Sequence, residues 1–424
     1  MTRQLLATRD TGKKIVDQLK IMNAKDGAGY ILYGFQLLEN ESNPSSKVVY
    51  LEDAIGMEPA YMDYANGKFE YGSWEDAFFM PRPCMVGFDG RVDFYLDPND
   101  YTKQIDGSPS HINDPTYQGN AMMEWGRDGL KIWYKIDGDK FYICSHKIDS
   151  DFHDWSFINC DNEEVDHFYT AIYNGSKDTN NVMRSISGQY LSKSLSTSQE
   201  LTAIGLNNKH SKNEWYSDVF ADRVLINILL VLIGKSTDTQ SVFGKGVESG
   251  GEEALNAHVT GSLNDKGLFF GYNDSTHAVK VFGMENWWSL QFRRTAGLVM
   301  VNRIPKYKLT YGNADGSSAI AYNTDGSGYI ASGVDFTDVA NGYITKMEAR
   351  GDGAWVPKTL GGSSSTHFCD YCYLNDGTRY ALFGGLSDNG ARCGAFCCSL
   401  NSAASLAYWS SGCALSLKPL AIGD

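Results

Sequence analysis

Apolar and polar positions along this chain alternate mostly with the period of a β-strand. In Phe88-Asp89-Gly90-Arg91-Val92 an Asp-Gly pair stands just ahead of alternating Val92, Phe94 and Leu96. That spacing predicts a hairpin, because Asp-Gly adopts the positive-φ turn that joins two twisted strands. The device recurs between Ile132 and Ile143, where Asp137-Gly138 separates two apolar runs. Further strands are expected from Phe168 to Tyr173 and, between Gly-rich turns, over 267–272, 278–285, 297–303 and 307–311. The polar stretch from Asp97 to Thr116 reads as a loop, as do 312–328 and 361–366.

Helical spacing occurs twice. Ile15, Leu19 and Met22 fall on one face of a short amphipathic helix over 13–25, suited to docking on the body or to attachment and oligomerisation. The second helix runs through Val219, Phe220, Val224, Ile228 and Leu232, with Asp218 and Asp222 near its start and Gly234 just past its end. Acidic groups at the start and glycine at the stop match the orphaned backbone groups of helix ends. Apolar almost all round after Val224, this helix is expected under a sheet. The turn-rich stretch from Glu39 to Ser46 reads as a boundary. It divides the chain into a 1–45 attachment segment, a small β-rich region over 46–117 and a larger domain over 118–424. Fold class is α+β, with many short strands around one or two helices.

Composition narrows the partners. The chain has 424 residues, 42% hydrophobic and 21% charged, with 25 Tyr, 20 Phe and 44 Gly. That mix suits a folded protein rich in strands and tight turns. A formal net charge of -14 without a basic run excludes a general binder of the nucleic-acid backbone, which needs clustered Lys and Arg. The longest apolar run, Val224 to Ile233, is interrupted by Asn227 and falls short of the roughly 20 residues of a membrane span. The first residues lack the apolar core of a secretion signal, so synthesis in a cytoplasm without export by that route is expected. Nine cysteines do not form a complete disulfide framework, and Cys369-x-x-Cys372 lacks the second pair that a zinc site requires. No metal and no cofactor is expected.

The stretch from Phe383 to Lys418 differs from the rest. Before Lys418 its only charges are Asp388 and Arg392; it has no Glu, Gln or Met, and it holds four cysteines and the Tyr408-Trp409 pair. Small polar residues with a few aromatics make an adaptable binding surface: rings give area at low entropic cost, and Ser, Gly and Asn give flexible hydrogen bonding. The less favoured reading of the same composition is a terminal subdomain that binds nothing.

The order of motifs in the second half resembles one family. Trp215 leads through the buried helix to Thr239-Gln240-Ser-Val-Phe-Gly244. Val281-Phe-Gly-Met-Glu-Asn286-Trp-Trp and Gly361-Gly-Ser-Ser-Ser follow. Phe383-Gly-Gly385, Gly390-x-x-Cys393-Gly394-Ala-Phe396 and Ser405 to Leu415 close the series. Together, over roughly 118–424, these are similar to the C-type-lectin-fold variable proteins of diversity-generating retroelements, particularly those carried as tail receptor-binding proteins by phages. The resemblance implies a C-type-lectin-like fold, akin to that of formylglycine-generating enzymes. It also implies adenine-directed diversification of codons near the gene's end, which never yields Trp, Met, Lys, Glu or Gln.

Matched to the family's pattern, the diversified ligand-binding positions are Leu386, Ser387, Asp388, Asn389, Arg392, Cys397, Ser399, Ser402, Leu406, Tyr408 and Ser410. The fixed scaffold is Gly384, Gly385, Gly394, Phe396, Ser405, Trp409 and Gly412. The chain departs from the pattern at Ser410-Ser411-Gly412, where members commonly carry Asn-Ile-Gly. The implied role is adhesion without catalysis, in the phage tail of a virion. Its partners are a bacterial surface protein or glycan and other tail proteins, with a homotrimer as the display unit. The competing reading is an enzyme, either a tail-associated glycan depolymerase or an oxidase related to the formylglycine-generating enzymes. For that reading Glu252-Glu253, Asp161 to Glu164, Cys393, Cys397 and Cys398 are the candidate groups. Their bland reading is solvated acidic loops and inert buried thiols. Glu285-Asn286 beside Trp287-Trp288 is either core packing or a sugar-stacking site.

Overall fold

Three antiparallel-dominated sheets meet around one buried helix. The computed structural model describes residues 29–210 and 212–420, with Leu19 besides; the helix expected over 13–25 lies outside the described residues except at Leu19. A four-stranded sheet takes β1 (Leu32–Leu37), β2 (Val48–Glu52), β9 (Trp133–Asp137) and β10 (Lys140–Cys144), ordered β2-β1-β10-β9. The seven-stranded sheet is built from β5 (Arg82–Gly87), β6 (Val92–Asp97), β7 (Asp100–Gln104), β8 (Gly119–Trp125), β11 (Phe168–Ala171), β14 (Trp215–Ser217) and β26 (Leu415–Leu417). Its order is β14-β26-β11-β8-β5-β6-β7.

The third sheet carries the C-terminal half. It contains β17 (Phe292–Val301), β18 (Ile304–Tyr307), β19 (Ile330–Ala331), β20 (Gly342–Ala349), β21 (Trp355–Leu360), β22 (Tyr371–Leu374), β23 (Thr378–Phe383), β24 (Cys398–Leu400) and β25 (Ser411–Gly412). Its path is β19-β18-β17-β23-β24-β22-β20-β21, with β25 parallel to β17. Small hairpins complete the inventory: β3 (Tyr61–Asp63) with β4 (Lys68–Glu70), β12 (Ser176–Lys177) with β13 (Met183–Arg184), and β15 (Lys280–Val281) with β16 (Met284–Glu285).

Four helices fall among the described residues: α1 (Thr197–Gly205), α2 (Phe220–Gly234), α3 (Thr239–Phe243) and α4 (Gly251–Ala257). The fold is thus α+β and mostly sheet. Helix α2 is buried along its whole length, as its apolar circumference requires. It ends at Gly234, and Lys235 takes the left-handed cap. Side chains tie α2 to the four-stranded and seven-stranded sheets and to the loops beside the third. Tyr50 of β2 donates to the Leu232 carbonyl at 2.7 Å, and Ser416 of β26 donates to Asp222 at 3.0 Å. Asn227 donates to the Ala395 carbonyl at 2.8 Å and accepts from the Trp287 indole at 3.1 Å.

Both Asp-Gly hairpins are present, as β5–β6 and β9–β10. Several expectations fail. No strand forms over 267–272, and of 307–311 only Tyr307 belongs to one, at the end of β18. Within the supposed loop 97–116, Asp100 to Gln104 forms β7, the polar edge strand of the seven-stranded sheet. The stretch from Glu39 to Ser46 joins paired strands β1 and β2, and β1 also pairs with β10. A polar, turn-rich segment reads alike at a hairpin tip and in a linker. The sheets therefore run across both expected boundaries, at 45/46 and 117/118.

Candidate functional site

The stretch from Phe383 to Lys418 forms two loops at the nine-stranded sheet. Period two divides that sheet's side chains. Cys372, Cys398, Phe383 and Arg293 face α2, while Tyr373, Ser399, Leu382 and Arg294 face away from it, as the registers Tyr373↔Ser399, Leu382↔Ser399 and Arg294↔Leu382 require. The first loop, 384–397, leaves β23 through Gly384-Gly385 and returns at β24. The second, 401–410, joins β24 to β25.

Buried groups fix the first loop. Gly385 has φ +90°, and a Cβ there would lie 2.6 Å from the Cys393 sulfur. Gly394 has φ +143°, and a Cβ would overlap the Asp370 carboxyl, whose Oδ2 accepts from the Phe396 N–H at 2.6 Å. Both positions demand glycine. Burial pushes the Asp370 carboxyl well above the usual carboxylate range. Phe396 packs edge-on against Trp355 and Phe368, with centroids 5.0 and 5.1 Å away. The loop's outer turn rests on the start of α4: Gly251 N–H donates to the Ser387 carbonyl, Ser387 N–H donates to the Leu290 carbonyl, and Gly390 N–H donates to the Glu248 carbonyl.

The second loop is pinned from below by a buried ion pair. Arg294 contacts Glu200 of α1 at 2.6 Å, and its other nitrogen donates to the Leu406 carbonyl at 2.6 Å and to Ser411 Oγ at 3.1 Å. Burial outweighs the guanidinium and raises the Glu200 carboxyl to about 7. Backbone bonds from Ser194 to Tyr408 and from Thr197 to Ala404 dock the loop on the entry to α1. Trp409 is half-buried against Leu191, Val247, Leu255 and Leu290, and its carbonyl accepts from Gln291 at 3.0 Å.

Of the eleven candidate positions, Asp388, Arg392, Leu406 and Tyr408 are exposed, and Leu386, Asn389, Ser402 and Ser410 are partly so. Tyr408 is 54% exposed and Leu406 42%, on backbone whose Leu406 and Tyr408 carbonyls accept bonds from Arg294 and Ser194 of the body. Three positions must be corrected. Ser387 is buried, with its hydroxyl donating to the Gly251 carbonyl at 2.7 Å. Cys397 is buried among Phe292 and Leu382. Ser399 is buried on β24, its hydroxyl spent on Asn401 Oδ1 at 2.6 Å. None of the three presents its side chain to solvent. Ser405, assigned to the fixed scaffold, is exposed.

A tyrosine row adjoins the first loop. Tyr343 stands opposite Tyr371 across β20 and β22, with centroids 5.1 Å apart, and Tyr373 follows at 4.6 Å from Tyr371. All three are half-exposed, and the Arg392 guanidinium lies over the Tyr371 ring at 5.1 Å. The sequence held the signal: in Tyr371-Cys-Tyr373-Leu the period-two alternation sends both rings outward.

The groups proposed for chemistry are differently placed. Cys393, Cys397 and Cys398 are free, buried thiols that burial pushes well above the ordinary thiol range. Glu252 pairs with Lys193 at 2.6 Å, and Glu164 with Lys131 at 2.7 Å, as surface ion pairs. Glu285, Asn286, Trp287 and Trp288 are all buried, and Glu285 accepts the Gly261 and Leu263 N–H groups; this cluster is core. Among the described residues no group of three or more His, Cys, Asp or Glu is arranged to hold a metal ion, and no helix is long and apolar enough to cross a membrane. No family model matches the chain, and none of the curated proteins compared with it is similar to it.

Proposed function

We propose that this chain is a phage tail receptor-binding protein of the C-type-lectin-fold variable class, which adheres to a bacterial surface ligand through loops 384–397 and 401–410. One observation carries the reading: Leu406 and Tyr408 project into solvent from backbone that Arg294, Ser194 and Thr197 hold in place. Exposed apolar side chains on a rigid support can be exchanged at little cost to folding, while each exchange changes what the surface grips. Tyr408 beside Leu406, together with the Tyr343–Tyr371–Tyr373 row, supplies aromatic anchors of the type that dominate binding interfaces. The proposed class also accounts for the absence of Glu, Gln, Met and Lys from Phe383 to Leu417. Its fold assignment draws on the helix buried between sheets and on the return of the chain end as β26 beside β11 and β14.

In this reading the protein binds and does not catalyse. Tail proteins are its second partner, and a homotrimer multiplies a weak single contact into useful avidity. The test exchanges Leu386, Leu406 and Tyr408 together, then measures adsorption to the host and melting temperature. Adsorption should change in strength or host range while melting stays put. Unchanged adsorption in a folded variant would refute the assignment of the face. Sequencing the neighbouring DNA checks the class independently: a near-copy of the 383–418 coding stretch differing only at adenines, beside a reverse-transcriptase gene, is expected.

A further inference from the structure

A groove of ≈ 800 Å³ opens directly beside the second loop, within the roughly 300–1,000 Å³ of ordinary small-ligand sites. Its walls are the first turns of α1, the 213–216 strand entry, Tyr311 with the 323–324 turn, and Ala404-Ser405 of the loop. Three properties of this lining point to one ligand chemistry.

First, the lining contains no Asp, Glu, Lys, Arg or His. The ion pair of Arg294 with Glu200 satisfies the charges of the α1 side from beneath. A charged ligand would leave its charge without a partner, which is costly on a desolvated surface. Second, Tyr216 and Tyr311 offer half-exposed rings whose centroids lie 5.6 Å apart at 71°. Such rings receive flat C–H faces. Third, neutral donors and acceptors surround them. The Tyr311 hydroxyl accepts from the Asn213 amide at 2.7 Å, which leaves its own hydrogen free for a ligand. Thr197 lines the groove and is 2% exposed, and its buried hydroxyl has no hydrogen-bond partner within the protein. A buried hydroxyl without a partner is uncommon and calls for a group to meet it.

We propose that this groove is a subsite for a neutral oligosaccharide. Pyranose rings combine apolar C–H faces with a rim of uncharged hydroxyls, which is the pattern that two tyrosine rings edged by Ser, Thr and Asn complement. The inference rests on the adhesive reading above and deepens it. The groove grips a glycan common to many hosts through residues that, Ala404 and Ser405 aside, lie outside the 383–418 stretch, while the neighbouring Leu406 and Tyr408 select among the structures that flank it.

The experiment uses the purified full chain on an array of neutral gluco-, manno- and galacto-oligosaccharides with uronic-acid-containing counterparts, followed by calorimetric titration of any hit. Binding of at least one neutral oligosaccharide is expected, with the acidic counterparts weaker. Thr202→Trp, on the exposed side of α1, should fill the groove and weaken that binding at least tenfold at an unchanged melting temperature. Ser198→Trp, one turn earlier, repeats the block if Thr202→Trp fails to fold. Tyr311→Phe should weaken binding several-fold through the lost hydroxyl alone. Absence of neutral-glycan binding at millimolar concentration, equal or better binding of the acidic series, or undiminished binding by both tryptophan variants overturns the proposal. Host adsorption that survives both tryptophans but is lost on exchanging Tyr408 overturns the groove while leaving the adhesive face standing.

Discussion

Arg294 and Glu200 form a buried ion pair, 3% and 2% exposed, in which the arginine's free arm holds the carbonyl of exposed Leu406. The pair links α1 to β17 and carries the second loop on top of it. Removing one partner of a buried pair leaves the other uncompensated, so Glu200→Ala should destabilise the protein by roughly 3–5 kcal/mol. Amide exchange in 401–410 should rise more than in the distant hairpin β9–β10. Chemical denaturation and hydrogen exchange measure the two effects.

The same carboxyl sets a pH dependence. Its pKa is raised from 4.5 to about 7 by burial, so the folded state holds a proton that the unfolded chain has already lost over that interval. Stability from this group is therefore full below pH ~4.5 and declines as the pH rises to about 7, by about 3 kcal/mol in all. Glu200→Gln cannot titrate. The difference between wild-type and Glu200→Gln stability curves should slope between pH 4.5 and 7 and be flat above.

The fold was legible where its causes are local. Asp89-Gly90 and Asp137-Gly138 set their hairpins by turn chemistry alone, and α2 followed from an apolar circumference that only burial satisfies. Strand β17 was read short, as 297–303, because Arg293, Arg294 and Thr295 look like surface residues. The two arginines are core because Asp218 and Glu200, far off in sequence, pair with them. The same limit applied to the site. Tyr408 and Ser387 sit in one small-polar stretch, and nothing local separates the exposed ring from the hydroxyl bonded to Gly251. Ser, Cys and Ala fit a packed turn as readily as a wet one, so burial there is decided by partners the local pattern does not contain.

Tolerance to substitution should divide accordingly. Arg392→Ala, Leu406→Ser and Tyr408→Ser should each alter stability by no more than ~0.5 kcal/mol, as surface changes do. Ser387→Leu, Cys397→Tyr and Ser399→Tyr force extra volume into closed sites and should each cost ~1–3 kcal/mol or more. Urea titrations of the six variants test the division. Equal tolerance in both groups would contradict the burial described for the second.

Gly394 should be the least replaceable residue of the first loop. Alanine there meets both a left-handed φ and the Asp370 carboxyl, 2.0 Å from where its Cβ would stand. Strain of that kind costs on the order of 1–3 kcal/mol before any displacement of Asp370 is counted. Gly394→Ala should lower the unfolding free energy, read by urea titration, by at least that amount, and the companion Asp370→Ala should not restore it, because the Phe396 N–H then loses its acceptor.

Thiol reactivity separates grip from chemistry at the C-terminal face. A nucleophilic or metal-binding cysteine must reach its thiolate at neutral pH, which requires a positive or polar, partly open setting. Cys393, Cys397 and Cys398 have the opposite: they are fully buried, and desolvation holds each proton on. Cys160 is the one cysteine that is only half-buried, although burial raises it too. Native protein treated with iodoacetamide at pH 8 should therefore be labelled first at Cys160, with the three C-terminal thiols modified only as fast as the protein unfolds. All nine should react in denaturant. Rapid native labelling at Cys393, Cys397 or Cys398, read by peptide mass spectrometry, would show an activated thiol at this face and favour the oxidase reading over adhesion.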